Sequence, residues 1–400
     1  MSLCPIGWRN PDSALAALLP LSVQPEPGSC SSSGRPFVRA HKAQMLADTM
    51  TSQILDLTDL GWSNHFARQL DPEESRPSVR VMAVHRDRLL VTGVGLDLAI
   101  PPFTADTEDD EAAAAVGDWL LLDAALARAA RLLARRSLFK RRAAGTARRL
   151  QLIAANVDTL FIVSSCNQDF NIARLERYLV LAEEAQVTPV VVLTKADLTD
   201  RPEDFVRDAA RLLPGLLVEA VNALDQESTA CLKPWCKRGQ TVAFVGSSGV
   251  GKSTLVNTLT GAAHIETQAI RADDDRGRHT TTGRSLHRLR EGGWLLDTPG
   301  MRELQLTDVS SGLDGVFADI VALAETCRFN DCRHENEPGC AILAALTQGR
   351  LEAERLRRWR KLLAEEAYNS ESLAERRARD RSFGKMVKSV MKEKNRRHES

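Results

Sequence analysis

The stretch Val242–Leu259, VAFVGSSGVGKSTLVNTL, settles the fold class. It begins as an apolar run of strand character and ends as an apolar run of helical character. Between them lies G-x-x-x-x-G-K-S, from Gly246 to Ser253. A strand, a glycine-rich turn and a helix in that order build an α/β sheet with a phosphate cradle at the strand's C-terminal end. Gly246, Gly249 and Gly251 allow the backbone N–H groups of Ser247, Ser248, Val250 and Thr254 to curl around an anion. Lys252 reaches β- and γ-phosphate oxygens, the Ser253 hydroxyl suits Mg²⁺, and the helix N-terminus adds its positive end. A glycine turn without a ligand would not need both correct flanks.

Two further strings end apolar strands in the same block. Asp297–Gly300, DTPG, places a carboxylate that can hold Mg²⁺ through a water and a Gly300 N–H that can meet a γ-phosphate. Thr194–Asp197, TKAD, supplies Lys195 and an acid, Asp197, that can accept from the N1–H and 2-amino group of guanine. Adenine lacks that donor pair, so the acid selects a guanine nucleotide and argues against an ATP-dependent kinase. The usual order of such motifs is phosphate loop, DxxG, [NT]KxD. Here Thr194–Asp197 precedes Gly246–Ser253, which makes the domain a circular permutation. The runs VDTLFIVSS (157–165) and VTPVVVLTK (187–195), with the helical IARLERYLVLAEEA (172–185) between them, form a β-α-β unit and predict a parallel sheet over about 151–308. The permutation joins Asp297–Gly300 directly to the C-terminal part of the chain, so nucleotide state is expected to move that part. Identical small-angle scattering with GDP and a GTP analogue would contradict this.

That C-terminal part contains CRFNDCRHENEPGC, or C-x4-C-x-H-x5-C: Cys327, Cys332, His334 and Cys340. Three thiolates and one imidazole close a tetrahedral zinc site with no open position, which is structural rather than catalytic. Cys4, Cys30, Cys166, Cys231 and Cys236 lack ligand spacing and read as free thiols. That usage fits a reducing cytosol.

The rest of the chain is less specific. Lys plus Arg and Asp plus Glu both number 53, so overall charge gives no argument for nucleic acid. No apolar run is long enough to span a bilayer, and the short apolar stretch 14–23 is broken by Pro20, against a secretory leader. Residues 1–74 read as an extension, partly disordered around QPEPGSCSSSGRP (24–36), with order beginning near LDLTDLGWSNHF. Residues 75–150 read as a small β domain. VRVMAVHRDRLLVTGVG (79–95) is a hairpin turning at His85–Arg88, and GDWLLLD (117–123) is another strand. Arg128, Arg131, Arg135, Arg136, Lys140, Arg141, Arg142, Arg148 and Arg149 crowd into 124–150. They suggest either a solvated helix face or a surface that neutralises RNA phosphates. Trp119 and Phe103 are the main aromatics this β domain offers for stacking on bases. Residues 309–400 read as a zinc-binding domain with a basic helical tail.

The motif order, QLIAANVDTLFIV (151–163), RLERYLV (174–180) and the Cys/His cluster together resemble the RsgA (YjeQ) family of circularly permuted GTPases of small-subunit assembly. The resemblance covers the chain from about Val79 onward. It implies an N-terminal OB-fold, a permuted G domain and a C-terminal zinc domain. It also implies binding to the small (30S) ribosomal subunit and its rRNA, and subunit-stimulated hydrolysis of GTP to GDP in late maturation, in the cytoplasm of a bacterium. A monomer without membrane association is expected. RGRHTTTGRSLHRL (276–289) corresponds to the family's first switch, with Thr280 or Thr281 supplying a second Mg²⁺ hydroxyl. Val221–Leu224 resembles the weak guanine-contacting loop, and Thr194 stands where the family often has Asn. Met301 occupies the place where many GTPases put a water-orienting Gln. A thioether cannot orient water, so intrinsic turnover is expected to be slow, with His279 as the catalytic candidate beside Lys252. The competing reading is a GTP-gated RNA-binding adaptor in which hydrolysis is incidental.

Overall fold

A computed structural model describes residues 56–105, 111–142, 150–261, 284–297, 306 and 308–370. The β domain consists of β1 (Ser78–Val84), β2 (Leu89–Gly93), β3 (Leu96–Ile100), β4 (Trp119–Leu122) and β5 (Ala129–Leu132). They pair antiparallel in the order β3-β2-β1-β4-β5, which suits the expected OB-fold. Side-chain alternation divides each strand between two cores. Val79, Val81, Leu120 and Leu122 fill the β domain's own interior. Met82, Trp119 and Leu121 point the other way and join Leu60 and Phe66 in the large core of the molecule. A hairpin, β6 (Leu138–Arg142) with β7 (Leu150–Ala155), runs across residue 150.

The central block has β8 (Thr159–Ser165), α1 (Ile172–Glu184), β9 (Thr188–Thr194), α2 (Pro202–Ala210) and β10 (Leu217–Ala220). It continues with β11 (Thr241–Gly246), α3 (Lys252–Thr260), β12 (Arg284–Arg288) and β13 (Trp294–Asp297). The sheet order is β10-β9-β8-β11-β13-β12. The first five strands are parallel, and β12 is antiparallel to β13. Parallel strands between two helical layers must be apolar on both faces. Accordingly Phe161, Val163, Val190 and Val242 pack on one side. Leu160, Ile162, Val191, Ala243 and Val245 pack on the other. The strand C-termini of β8, β9, β11 and β13 all open on one edge, where open α/β sheets bind ligands.

β12 also pairs with β1, at Ala83↔Ser285 and Val84↔Arg284, so β domain and nucleotide block share one 11-stranded sheet. The seam is tight. A Cβ on Gly61 would lie 2.6 Å from the Gly239 carbonyl. Trp294 Nε1 donates to the Asp59 carbonyl at 2.7 Å.

The C-terminal helices are α4 (Ser310–Val316), α5 (Ala318–Glu325), α6 (Ala341–Thr347) and α7 (Ala353–Ser370). They dock on α1. A Cβ on Gly312 would meet the Val180 carbonyl at 2.3 Å, so only glycine allows that approach. Glu176 of α1, fully buried, accepts from Arg358 Nε at 2.6 Å and Arg355 Nη1 at 3.2 Å. The C-terminal domain is thus held to α1 through a buried carboxylate, and any nucleotide-driven motion of it has to carry α1 along or break that pair.

Candidate nucleotide site and cysteine–histidine cluster

β11 runs into the loop at Gly246, whose φ is 145°. A Cβ there would lie 2.2 Å from the Val163 carbonyl of β8. Gly249 (φ 77°) and Gly251 (φ 90°) give the left-handed steps that bend the chain back into α3. Nothing lies within 4 Å of a Cβ built on Gly249, so the loop rim is open there. Ser248 and Gly249 are exposed, Ser247 is half-buried and Val250 is buried. Lys252 is 8% exposed. Its Nζ donates to the Gly246 carbonyl at 2.9 Å and to the Ser247 carbonyl. The ammonium is therefore held over the mouth of its own loop, where phosphate oxygens would sit. Ser253 and Thr254 open α3 at its positive end and are half-buried.

The Thr194–Asp197 turn meets this loop directly. Thr194 is fully buried. Its hydroxyl sits at 3.1 Å from the Ser164 carbonyl and is also bonded to the Val250 carbonyl inside the phosphate loop. Thr at this position therefore does brace the loop, in place of the family's frequent Asn. Lys195 takes a left-handed conformation (φ 58°) and starts a short 3-10 turn, Ala196–Leu198, that leaves Asp197 exposed. The Val221–Leu224 loop lies alongside. Ala196 N donates to the Val221 carbonyl at 3.3 Å, and Val221 N to the Leu193 carbonyl at 2.8 Å. Thr258 Oγ1 of α3 donates to the Ala223 carbonyl at 2.7 Å. Thr258 escaped the sequence reading because nothing in a helix's periodicity marks a hydroxyl aimed at a distant loop. Asp297 ends β13 opposite Ser285, and His287 Nε2 lies 4.0 Å from its Oδ2. Lys252, Ser253, Thr194, Asp197 and Asp297 thus gather on one sheet edge. His279, Thr280, Thr281, Gly300 and Met301 lie outside the described residues.

The ligand atoms of Cys327, Cys332, His334 and Cys340 all lie within 4.8 Å of one another. Cys327 Sγ is 3.5 Å from His334 Nδ1 and 3.9 Å from Cys340 Sγ, and Cys340 Sγ is 3.6 Å from His334 Nδ1. A tetrahedron with Zn–S near 2.3 Å and Zn–N near 2.0 Å has edges of roughly 3.5–3.8 Å, so the donor set is compatible with zinc. Sequence reading passed over Glu337. Its carboxylate accepts from the N–H groups of Arg333 and Glu335, both at 2.9 Å, and of Asn336 at 3.1 Å. Those N–H groups, Arg333's first, hold it down at about 2. It shapes the loop that carries Cys332 and His334. His334 itself is left-handed (φ 61°), and its carbonyl accepts from Arg360 of α7.

The helical reading of the basic run needs correction: the run contributes β5 and β6. Four of its described cations are also paired with acids, three of them with acids far enough off that a local scan does not see them. Arg135 binds Asp118 with two bonds, 2.8 and 2.7 Å, and adds the carbonyls of Glu111 and Ala113. Arg136 pairs with Asp158 and Lys140 with Glu111, both at 2.6 Å, and Arg128 lies 3.8 Å from Asp123. Arg141 donates to Gln151 at 2.9 Å. Arg148 and Arg149 lie outside the described residues. Trp119 cannot stack on a base: it is fully buried, edge-on to Trp62 at 4.7 Å. Phe103 is half-buried against the β-domain core.

A permuted nucleotide fold with a phosphate loop, a guanine-type turn braced to it and a carboxylate one strand away defines the class: a circularly permuted P-loop GTPase. The comparisons agree. The RsgA GTPase family model matches residues 132–307. A protein of Vibrio parahaemolyticus named small ribosomal subunit biogenesis GTPase RsgA 2 is 49% identical over 368 residues, covering 90% of this chain and 99% of its own. The RsgA of Mesorhizobium japonicum, named likewise, is 50% identical over 331 residues, covering 81% of this chain and 94% of its own. Among solved structures, YjeQ from Thermotoga maritima aligns with a TM-score of 0.53 at 24% identity, covering 72% of this chain and 98% of that one. YloQ, described as a circularly permuted GTPase, aligns at 0.52 and 22% identity, covering 76% and 99%. The chain belongs to the RsgA GTPase family. Membership implies GTP hydrolysis with Mg²⁺, and the glycine cradle and buried Lys252 suit a magnesium-bound triphosphate.

Proposed function

We propose that this protein hydrolyses GTP to GDP on the small ribosomal subunit during its late maturation, and that the subunit stimulates the reaction. The observation that carries the reading is the Thr194 hydroxyl bound to the Val250 carbonyl, which ties the guanine-type turn to the phosphate loop. In this reading Asp197 accepts from the guanine N1–H and 2-amino group, with Lys195 beside the base. The loop N–H groups of Gly246–Thr254 and the Lys252 ammonium neutralise the phosphates. Ser253, with Thr280 or Thr281, would ligate Mg²⁺, and Asp297 would help hold it. The bound ion would supply charge that offsets the transferring phosphoryl group. Gly300 N–H meets the γ-phosphate, and His279 orients the attacking water in place of the glutamine that Met301 displaces.

Residues 75–150 then serve as the OB-type domain, 151–308 as the GTPase and 309–400 as a domain held by one structural zinc on Cys327, Cys332, His334 and Cys340. Residues 1–74 form an extension whose last part packs into the body. The setting is the cytoplasm of a bacterium, where the curated relatives' named role belongs. Because Arg135, Arg136 and Lys140 are engaged within the chain, contact with rRNA falls to Arg131, the 371–400 tail and backbone shape, and should weaken steeply with salt.

The test is GTP turnover with and without purified small subunits. Several-fold stimulation, with ATP inactive, is expected. A preference for ATP, or equal turnover in both conditions, would refute the reading.

A further inference from the structure

β12 sits between the β domain and the strand that carries Asp297. On one side it pairs with β1, at Val84↔Arg284 and Ala83↔Ser285. On the other it pairs with β13, at Ser285↔Asp297. One residue, Ser285, therefore faces the β domain's first strand and the magnesium-side carboxylate at once. The β1 ladder is short, two residue pairs, so it cannot by itself hold the strand's end firmly. Arg284 adds the missing anchor. Its Nη1 donates to the Leu152 carbonyl of β7, in the β6–β7 hairpin. Burial, then the neighbouring Arg141, pull its affinity for the proton down. Among the described residues no carboxylate pairs with it. A half-buried guanidinium next to another cation, bonded to a carbonyl rather than an acid, is a costly device for stability alone. At its other end β12 is secured differently, by Arg288 stacked 5.7 Å over the Trp294 ring.

We propose that Arg284 is a positioning residue for GTP hydrolysis: by gripping the Leu152 carbonyl it fixes the end of β12 and, through the Ser285–Asp297 pairing, the carboxylate of Asp297. The β6–β7 hairpin, which joins the β domain to β8, then has a mechanical hold on the nucleotide site. A displacement of the β6–β7 hairpin displaces Asp297. This rests on the GTPase reading above and adds to it a role for a residue near the end of the 276–289 stretch, to which the motif reading gave none.

The experiment compares the full chain with Arg284→Met and Arg284→Lys. For Arg284→Met, kcat should fall about tenfold, with KM for GTP, affinity for a fluorescent GDP analogue and melting temperature little changed. Amide hydrogen exchange should quicken in Ser285–Arg288 and Trp294–Asp297 but not in β8 or β9. Arg284→Lys, which keeps the charge and stem but not the fork, should recover part of kcat. If Arg284→Met does not fold, the Lys variant carries the same split. Wild-type kcat in both variants overturns the proposal. So does a joint fall of kcat, affinity and melting temperature with exchange rising throughout, since that is a structural role. If the wild-type chain itself fails to turn over GTP, the function reading fails instead.

Discussion

Lys252 and Arg135 are both long cations, both mostly buried, and they do opposite work. Lys252 rests on carbonyls of its own loop, six and five residues away in sequence. Those two partners are neutral main-chain oxygens, which hold the ammonium at the mouth of the loop, as a phosphate site needs. Arg135 meets a carboxylate seventeen residues away, in two bonds, and two further carbonyls, so its charge and donors are consumed inside the chain. Arg80 is a second seam cation, held by neutral acceptors from distant parts of the chain, with Asp158 and Asp118 acting only at a distance. It is fully buried, and burial pushes it down to about 10, still charged near neutrality. Its guanidinium bonds the Leu60 carbonyl and Thr241 Oγ1, the latter 161 residues on. The contrast teaches that a cation's role follows from what grips it. A site holds its cation on the main chain of the loop a ligand would enter, and a seam ties it to groups far off in the chain.

The sharpest way to break that distinction is to remove an internal counter-charge. Asp118 is fully buried, and Arg135 is 11% exposed in its side chain. Asp118→Ala should cost about 3–5 kcal/mol in urea titration, because it strands a buried guanidinium. The double variant Asp118→Leu with Arg135→Met should recover most of that loss. Under about 1 kcal/mol for the single variant would return Arg135 to the RNA-facing surface. Removing the phosphate-loop cation should do the reverse. Lys252→Ala should lower GTP turnover by about 10²–10³-fold. Its loss should shift the melting transition little, since its bonds to Gly246 and Ser247 lie within one loop. A folding defect comparable to that of Asp118→Ala would erase the contrast.

The same division explains what could be read in advance. The phosphate loop, the Thr194–Asp197 turn and the C-x4-C-x-H-x5-C cluster each depend on residues within a dozen or so positions, and their spacing is the geometry. Parallel strands between helices announce themselves as apolar runs, so β8, β9, β11 and β13 were legible. Arg135–Asp118, Arg136–Asp158 and Arg80–Thr241 have no local signature. Without them the run from 124 to 150 looked like an unopposed positive face, and Trp119 like an available ring. The splitting of β4 between two cores, with Leu120 and Leu122 on one side and Trp119 and Leu121 on the other, depends on what docks against each face. The β1–β12 pairing was equally hidden, because it joins strands about 200 residues apart by no pattern but the ladder itself.

The Cys/His cluster sharpens the comparison from a third side, since its donor set is compatible with a metal ion as the counter-charge. Cys332→Ser should abolish stoichiometric zinc. Glu337→Gln is subtler: the carboxylate touches none of the four ligands among its bonds to Arg333, Glu335 and Asn336. An amide there keeps one acceptor oxygen and loses the charge, so zinc affinity should drop about tenfold in competition with a chromophoric chelator. Guanine-nucleotide affinity should not change with it, and if it does, the C-terminal domain is coupled to the site more tightly than through α1 alone.

The smallest expected effect tests the one place where the two patterns meet. The Thr194 hydroxyl is an internal bond like those of the seam: fully buried, made to the Ser164 and Val250 carbonyls. Yet it lies inside the site, because Val250 belongs to the phosphate loop and Thr194 opens the guanine-type turn. A Cβ on Gly251 would come within 3.3 Å of that same hydroxyl, so the loop is already packed against it. Thr194→Val keeps the shape and removes the bond. The fold loses one hydrogen bond, about 1 kcal/mol, while the nucleotide loses the fixed distance between its base and phosphate holders. Affinity for GDP should therefore fall about fivefold, and Thr194→Ser should restore it. Preference for guanine over adenine should persist, since Asp197 is untouched. If Thr194→Val binds GDP as the wild type does, the two motifs are merely adjacent and the site's geometry is set by the strands alone. If it loses stability as Asp118→Ala does, the hydroxyl belongs to the seam and not to the site.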